Sequence, residues 1–280
     1  MAEEWSRAST DDGQTFVFAD EGEGPLVVLW HGYPDTPNNW GAAAKALNEA
    51  GFRTVRPWLR GYHPETVVEG RPYDAPAISR DPIALLDALG ADDAIIVGHD
   101  WGAALTYGAA TVAPERVRAI VTVAIPHTSL LPRDPGTVWG ARHFFALKMP
   151  WAEAATRRGN FAYLDTLYKR WAPNWAGPVR DQALAHVKEC FADESNLRGA
   201  TDYYRGLSFK PIPELSKVPA VRGLVVGGTV DVAPPEPFVK TGELLADGSE
   251  SLIVDGAGHW PHREGEDEFT KALLRFVGGL

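Results

Sequence analysis

The sequence predicts an α/β fold in which a parallel β-sheet carries helices on both faces and is interrupted by a purely helical segment. Two observations lead to this prediction. Short apolar runs alternate with helical patterns over most of the chain, and the alternation stops between about residues 128 and 215 before it resumes. With 280 residues, of which 45% are hydrophobic, the chain is long enough to bury a substantial core.

Six apolar runs of strand length make up the predicted sheet. They are residues 26–30, 53–55, 94–97, 117–124, 221–226 and 252–254. Helical patterns cover about residues 40–50, 76–89, 101–113 and 266–277. In the second of these helices, Asp81-Pro82 indicates either a helix start or a kink, because proline suits the first helical turn and disrupts a helix interior.

The helical segment is rich in aromatic residues. Nine lie between positions 139 and 175: Trp139, Phe144, Phe145, Trp151, Phe161, Tyr163, Tyr168, Trp171 and Trp175. The plainer interpretation is that most of these side chains pack the segment onto the sheet. We therefore expect residues 1–127 and 216–280 to form the α/β core and residues 128–215 to form a helical cap, or lid.

Composition disfavours several classes of protein. Lys and Arg number 27 against 37 Asp and Glu, and the net charge of −10 argues against binding nucleic acid, whose phosphates attract basic surfaces. No apolar stretch approaches the roughly 20 residues that a membrane span needs, and the acidic N-terminus lacks the apolar run of a secretory signal. Cys190 is the only cysteine, so no intramolecular disulfide can form. We expect a cytoplasmic protein, either a monomer or a homodimer.

The strongest motif is Gly98-His99-Asp100-Trp101-Gly102, which lies where the predicted strand 94–97 turns into a helix. Glycines two residues before and two after a central side chain are typical of a nucleophile elbow, a sharp turn that points this side chain into a cleft. The N-terminus of the following helix stabilises negative charge there. We therefore predict that Asp100 is a carboxylate nucleophile at the carboxyl end of a central strand.

On this motif and several others, the chain resembles enzymes of the α/β-hydrolase fold, and epoxide hydrolases in particular. The further motifs are His31-Gly32-Tyr33-Pro34, Trp58-Leu59-Arg60-Gly61-Tyr62, Tyr203-Tyr204-Arg205, Asp231 and Gly258-His259-Trp260. The resemblance covers nearly the whole chain and implies a mostly parallel, eight-stranded sheet with a helical cap. Most members of the wider fold carry serine at the elbow. Epoxide hydrolases and dehalogenases carry aspartate, which can attack an sp3 carbon and form an ester.

Nucleophile, acid and histidine follow one another in the order that the hydrolase fold uses. Asp231 lies 131 residues after Asp100, which leaves room for the cap, and His259 lies 28 residues further on. Asp231 also fits a plain loop acid or a helix cap before Ala233. His259 is the predicted general base, because it alone among eight histidines has a late loop, a flanking Gly258 and an acid upstream.

The other histidines have plainer interpretations. His99 adjoins the nucleophile but points to the other side of the elbow, and His262 lies in a charged segment that we expect near the surface. His63, His127 and His186 fall in loop or helix positions that indicate packing or exposure. The histidines do not occur in His-x-x-x-His or His-Glu spacing, and a lone cysteine cannot build a thiolate site, so we expect neither a metal nor a cofactor.

The resemblance assigns the oxyanion hole to the backbone N–H groups of Tyr33 and Trp101. It assigns His31 to shaping this loop. The Tyr33–Pro34 bond is a candidate cis peptide, with an ordinary turn as the alternative. The resemblance also implies a substrate pocket that includes His31, Pro34, Phe144 and Tyr203.

Two cap side chains bear on whether the substrate is an epoxide. Opening an epoxide needs a hydrogen-bond donor to the leaving oxygen, and in the resembled enzymes two cap tyrosines usually supply it. Tyr204, immediately before Arg205, matches the second of them. The position of the first, seven residues before Pro150, is His143. Some epoxide hydrolases use a His/Tyr pair, but fluoroacetate dehalogenases also place a histidine there as a halide ligand, next to a tryptophan where this chain has Phe144.

The substrate class therefore stays open between epoxides and halides on these residues alone. Fluoroacetate dehalogenases carry two arginines where this chain has Trp101 and Ala104, so a small anionic substrate would lack its clamp here. Haloalkane dehalogenases usually carry Asn or Trp in place of Tyr33, yet they share the tryptophan after the nucleophile. We expect an epoxide hydrolase for a small apolar epoxide, with a dehalogenase, another hydrolase or a non-catalytic binding protein as alternatives.

Overall fold

The computed structural model describes residues 4–67, 70, 72–131, 135–208, 212 and 215–280. Within these residues, an eight-stranded β-sheet lies at the centre of the fold. The strands are β1 (Ser6–Ser9), β2 (Thr15–Glu21), β3 (Leu26–Trp30), β4 (Arg53–Pro57), β5 (Ala94–His99), β6 (Val117–Val123), β7 (Gly223–Gly228) and β8 (Glu250–Val254). Their order across the sheet is β1-β2-β4-β3-β5-β6-β7-β8. β2 runs antiparallel to β1 and β4, and the strands from β3 to β8 are parallel. The predicted fold class is confirmed.

All six strands predicted from apolar runs are present, and the two that this pattern missed are β1 and β2. β1 is a polar edge strand with mostly exposed side chains, so its formation depends on backbone pairing with β2. β2 pairs with both β1 and β4, and it buries Phe16, Val17 and Phe18 in succession. A short apolar run without alternation cannot be distinguished from a buried helix segment by its periodicity.

The helices of the α/β part flank the sheet. Those before residue 128 are α1 (Gly41–Glu49), α2 (Ala75–Ile78), α3 (Asp81–Leu89) and α4 (Trp101–Val112), and those after residue 215 are α10 (Pro235–Leu244), α11 (Pro261–Glu264) and α12 (Glu266–Gly278). The predicted helix 76–89 is thus two helices. Asp81-Pro82 starts the second of them, because proline is tolerated in the first helical turn.

Between β6 and β7, the described residues form helices and no strand. They are α5 (Pro135–Gly140), α6 (His143–Lys148), α7 (Ala152–Trp171), α8 (Pro178–Cys190) and α9 (Glu194–Gly206). Left-handed backbone angles at Gly159, Asn160 and Phe161 interrupt α7. The cap is predicted to end at residue 215, but residues 209–211 and 213–214 lie outside the described residues. The division of the chain into core and cap therefore stays a prediction.

The sheet separates two apolar cores. Along β5, Ile96 contributes to one core, whereas its neighbours Ile95 and Val97 contribute to the other, because successive side chains of a strand point to opposite faces. One core holds side chains of α1 and α12, and the other holds those of α3, α4, α10 and the inserted helices. β5 therefore lies between two packed cores, one of which includes side chains of the inserted helices.

None of the helices in the described ranges is both long enough and apolar enough to cross a membrane.

Candidate active site

Asp100 occupies a sharp turn between β5 and α4. Its backbone angles of φ 51° and ψ −114° lie in a region that non-glycine residues rarely adopt, at a cost of about 1–3 kcal/mol. A Cβ atom at Gly98 would lie 2.1 Å from the Gly102 carbonyl oxygen, and one at Gly102 would lie 2.3 Å from that of Trp30. Only glycine fits at both positions, and the turn consequently packs directly against β3.

Three side chains predicted as a catalytic triad lie together at the carboxyl ends of the strands. The Oδ2 atom of Asp100 is 3.4 Å from Nε2 of His259, and Nδ1 of His259 is 3.0 Å from Oδ2 of Asp231. Asp231 follows β7, and His259 follows β8. His259 is only 7% exposed, so both contacts lie in a largely dry environment where electrostatic interactions are strong.

The charges of the triad stabilise one another. Burial lowers the pKa of His259, but the Asp231 carboxylate and then Asp100 outweigh it, and the net effect raises this pKa to about 10. Burial likewise raises the pKa of Asp100, but the hydrogen bond and charge of His259, helped by His99 and the Tyr33 N–H, make the net pKa lower than usual. At neutral pH the resting site therefore holds an ionised Asp100 beside a protonated His259.

The loop after β3 supplies a hydrogen bond to the predicted nucleophile. The backbone N–H of Tyr33 donates to Oδ1 of Asp100 at 2.8 Å, as the predicted oxyanion hole requires. Trp101, the second predicted donor, is the first residue of α4, where backbone N–H groups have no partner within the helix. The predicted cis peptide between Tyr33 and Pro34 is confirmed.

His31 and Pro34 anchor this loop to its neighbours. Nε2 of His31 accepts the Leu59 N–H at 3.0 Å, and burial lowers the pKa of His31 to about 4, so its ring stays neutral. The carbonyl oxygen of Pro34 accepts the hydroxyl of Tyr168 at 3.0 Å. These contacts fit the role in loop shaping that was predicted for His31.

Tyr204 lies where the inserted helices meet the elbow. Its ring centroid is 5.1 Å from that of Tyr33, 5.3 Å from that of Trp101 and 5.3 Å from that of Phe144. Burial, followed by the negative charge of Asp100, raises the pKa of Tyr204 well above 10, and a hydrogen bond with the Trp101 side chain partly opposes this shift. Tyr204 is thus a neutral phenol that senses the charge of Asp100.

His143 is also buried beside this group of rings. Its centroid lies 5.8 Å from that of Tyr204 and 4.6 Å from that of Trp171. Burial lowers the pKa of His143 to about 3, with Asp100 opposing the shift. The ring is therefore neutral and carries one N–H that can donate a hydrogen bond.

Tyr203 faces a different environment from its neighbour. Its ring packs against Tyr62, Tyr73 and Trp101. Burial raises its pKa, and the next contribution comes from Asp81 rather than from Asp100. The structure brings together Tyr204, His143 and Phe144, whereas the predicted place of Tyr203 in the substrate pocket stays a prediction.

The expected position of His262 is wrong. His262 is 2% exposed, and its ring stacks on that of Trp40 at 4.4 Å between centroids. The charged neighbours suggested a surface segment, but Pro261 begins the short helix α11 and this turn directs His262 inward. His99, as predicted, lies behind the elbow, where its Nε2 donates to the His259 carbonyl oxygen at 2.7 Å.

Trp171 is a site residue that the sequence motifs did not indicate. Its ring lies 5.0 Å from that of His259, and its carbonyl oxygen accepts the His259 N–H at 2.9 Å. Trp171 is the last residue of α7, so this contact ties the inserted helices to the histidine loop. The only signal for it in the sequence was the density of aromatic residues in this segment.

Comparison with known proteins identifies the family. Residues 25–165 match the alpha/beta hydrolase fold family, and the chain belongs to this family. Epoxide hydrolase A of Mycobacterium tuberculosis is 28% identical over 94% of this chain and 94% of its own length. The AB hydrolase superfamily protein YfhM of Bacillus subtilis is 26% identical over 91% of each chain. Among solved structures, a mutant of a Vigna radiata epoxide hydrolase is similar with a TM-score of 0.83, at 25% identity over 100% of both chains.

Proposed function

We propose that this protein is an epoxide hydrolase that opens a small apolar epoxide to a vicinal diol through an ester on Asp100. The observation that carries the proposal is the position of Tyr204, a neutral phenol held next to the elbow that presents the Asp100 carboxylate. An epoxide needs a nucleophile at its carbon and a proton donor at its oxygen, and this pair supplies both. The named relatives support the same activity.

In the first step, the Asp100 carboxylate attacks an epoxide carbon while the phenol of Tyr204 gives its proton to the ring oxygen. The ring C–O bond breaks, a new ester bond forms on Asp100, and the tyrosinate recovers a proton that ultimately comes from the imidazolium of His259. This step needs no general base, because the low pKa of Asp100 keeps the carboxylate ionised.

In the second step, a water molecule attacks the ester carbonyl and gives a proton to His259. Ester formation removes the negative charge of Asp100, one of the interactions that raise the pKa of His259, so the neutral imidazole becomes available as a base. Asp231 orients the ring through Nδ1, and the Tyr33 N–H stabilises the oxyanion. The tetrahedral intermediate then collapses, and the bond between the ester carbonyl carbon and the alkoxide oxygen breaks. The leaving alkoxide takes the second proton of the added water from the new Asp100 carboxyl, so the diol departs and the site is left with the Asp100 carboxylate and the His259 imidazolium.

The surroundings of the nucleophile suit an apolar substrate. Aromatic side chains from the sheet side and from the inserted helices meet there: Tyr33, Trp101, Phe144, Trp171 and Tyr204. We assign residues 128–215 the role of a cap that covers the site and excludes water from the first step. Phe144 and His143 then line the substrate pocket, with His143 as a second donor to the leaving oxygen.

The Trp101 side chain favours an epoxide over a halide. Its indole has one N–H donor, and its ring lies edge-on to that of Tyr204 with 5.3 Å between centroids, where it lowers the pKa of the phenol against the effect of burial. A dehalogenase would direct such a donor at the leaving halide. Here the indole supports the phenol instead, and its N–H stabilises the tyrosinate that forms when the proton is transferred.

A paired assay tests this function. The purified protein is incubated with a panel of styrene oxides and with haloalkanes and haloacids of similar size, and diol formation and halide release are measured. We expect diols and no halide. Release of chloride or fluoride without diol formation would replace the proposal with a dehalogenase, and binding of the epoxides without turnover would indicate a receptor.

Tyr204→Phe should slow epoxide opening by about 10²–10³-fold, because removing one donor to a developing oxyanion typically costs this much. Single-turnover kinetics of ester formation is the appropriate measurement. Tyr203→Phe is the matched control, since burial and then Asp81, rather than Asp100, raise the pKa of Tyr203, and this variant should react at nearly the wild-type rate. A Tyr204→Phe variant with the wild-type rate, beside a slow Tyr203→Phe variant, would transfer the role to Tyr203.

A further inference from the structure

A cluster of three buried side chains lies behind the catalytic histidine, and none of the three attacks, protonates or deprotonates the substrate in the reaction described above. Asp35 and His99 are 0% exposed, and His262 is 2% exposed. Asp35 comes from the loop after β3, His99 ends β5 and His262 belongs to α11. One nitrogen or oxygen atom from each side chain lies within 4.8 Å of those from the other two.

Two members of the cluster are oriented by hydrogen bonds on their outer atoms. Oδ1 of Asp35 accepts the Thr36 N–H at 2.7 Å and the amide of Asn39, which leaves Oδ2 facing the cluster. Nε2 of His99 donates to the His259 carbonyl oxygen at 2.7 Å. In a neutral imidazole this arrangement leaves the lone pair of Nδ1 facing Asp35, with Nδ1 3.2 Å from Oδ2. Metal-binding histidines and carboxylates are held in the same way.

The inner atoms of the cluster lack hydrogen-bond partners within the described residues. They are Oδ2 of Asp35, Nδ1 of His99 and both ring nitrogens of His262. A buried polar atom without a partner costs about 1–3 kcal/mol, and four in one place are unusual for a folded protein. The 3.2 Å contact between Nδ1 of His99 and Oδ2 of Asp35 is an ion pair when His99 is protonated, whereas a neutral His99 with its proton on Nε2 leaves both atoms as acceptors that a cation can bind. A cation between the three side chains would bind one atom from each: Oδ2 of Asp35, Nδ1 of His99 and the unprotonated ring nitrogen of His262.

We propose that Asp35, His99 and His262 bind one divalent transition-metal ion of the zinc type. One carboxylate and two imidazoles are a ligand set that zinc accepts, with a fourth position for water. Bonds of about 2.1 Å in tetrahedral geometry place ligand atoms about 3.4 Å apart, so the side chains must move together by roughly 1 Å on binding. The Asp35 carboxylate offsets one of the two positive charges.

An ion at this position connects the three segments that carry the catalytic groups. Asp35 follows Tyr33 and Pro34 in the oxyanion loop, His99 precedes the nucleophile, and His262 lies three residues after the catalytic His259. Metal binding should therefore stabilise the folded protein, because the ion binds the native arrangement and not the unfolded chain. This inference does not depend on the epoxide hydrolase activity, since its readouts are binding and stability.

The test uses tag-free protein that has been treated with a chelator and is then titrated with Zn2+ alone and with Co2+ alone. We expect one Zn2+ per chain by equilibrium dialysis and elemental analysis, a higher melting temperature, and visible absorption bands with Co2+ that report its ligand geometry. His262→Gln should weaken binding by at least about 100-fold, since even outer residues of metal sites are worth 10–100-fold. His186→Gln on α8, outside the cluster, is the control and should bind like the wild type.

Two further results make the outcome decisive. Asp35→Asn keeps the shape of the side chain and removes its charge, so it should also lose binding, and circular dichroism of each variant verifies the fold. Wild-type protein that takes up no ion would overturn the proposal. A bridging water or a proton shared between Asp35 and His99 would then explain their close contact. Unchanged binding in both His262→Gln and Asp35→Asn would place the ion elsewhere.

Discussion

His259→Gln is expected to stop the enzyme after one reaction per chain, with turnover reduced by on the order of 10⁴–10⁶-fold. The Asp100 carboxylate attacks the epoxide without a base, so the ester should still form. Hydrolysis of the ester needs a base within reach of the attacking water, and glutamine cannot accept the proton. Intact-mass spectrometry after exposure to an epoxide should therefore show one adduct with the full mass of the substrate, and peptide mapping should locate it on Asp100.

The conditions and the control follow from the charges of the site. Burial alone raises the pKa of Asp100, and His259 is the main group that lowers it, so ester formation by the variant is best followed from about pH 7 to about pH 9 and should increase as the carboxyl ionises. The double variant with Asp100→Asn is the control and should stay unmodified. A haloalkane substrate would leave an adduct without the halogen. An adduct on another residue, with Asp100 unmodified, would contradict the assignment of the nucleophile.

Asp100→Asn should abolish both steps, again with a loss on the order of 10⁴–10⁶-fold, because the neutral amide has no anionic oxygen to attack the epoxide. Asparagine is one of the few residues that tolerate a positive φ, so the turn at φ 51° should persist and the protein should fold normally. Steady-state diol formation and intact mass measure the two expected losses together.

The control for this variant is Asp255→Asn, an exposed carboxylate in the loop after β8. It should keep wild-type turnover, which shows that the loss is specific to the elbow. If Asp100→Asn retained turnover within about tenfold of the wild type, attack by a water molecule without an ester would have to replace the proposed mechanism.

The sequence alone was sufficient to predict the structural elements that local residue patterns specify. The turn at Asp100 was predictable because only glycine fits at Gly98 and Gly102, and this requirement appears directly in the sequence. That Asp100, Asp231 and His259 lie close together was predictable, because each follows a strand and parallel strands end at one edge of the sheet. β1 was not predictable from its own residues, because pairing at the sheet edge creates it and it has no apolar run.

Only the tertiary structure decided which side chains surround these groups. The aromatic residues of the helical segment looked alike in the sequence, yet Trp171 contacts His259 while Trp139 is exposed. Tyr203 and Tyr204 are adjacent in the chain, but a helix turns successive side chains by about 100°, so only Tyr204 faces Asp100.

The cluster behind the elbow shows this division most clearly. Asp35, His99 and His262 have no spacing that suggests a metal site, and the charged neighbours of His262 indicated exposure. The sheet brings the ends of β3 and β5 together, and α11 turns His262 toward them. Local patterns reveal what a segment does with its own neighbours. Contacts between residues that are far apart in the sequence form only when the chain packs into its tertiary structure, so no local pattern reveals them.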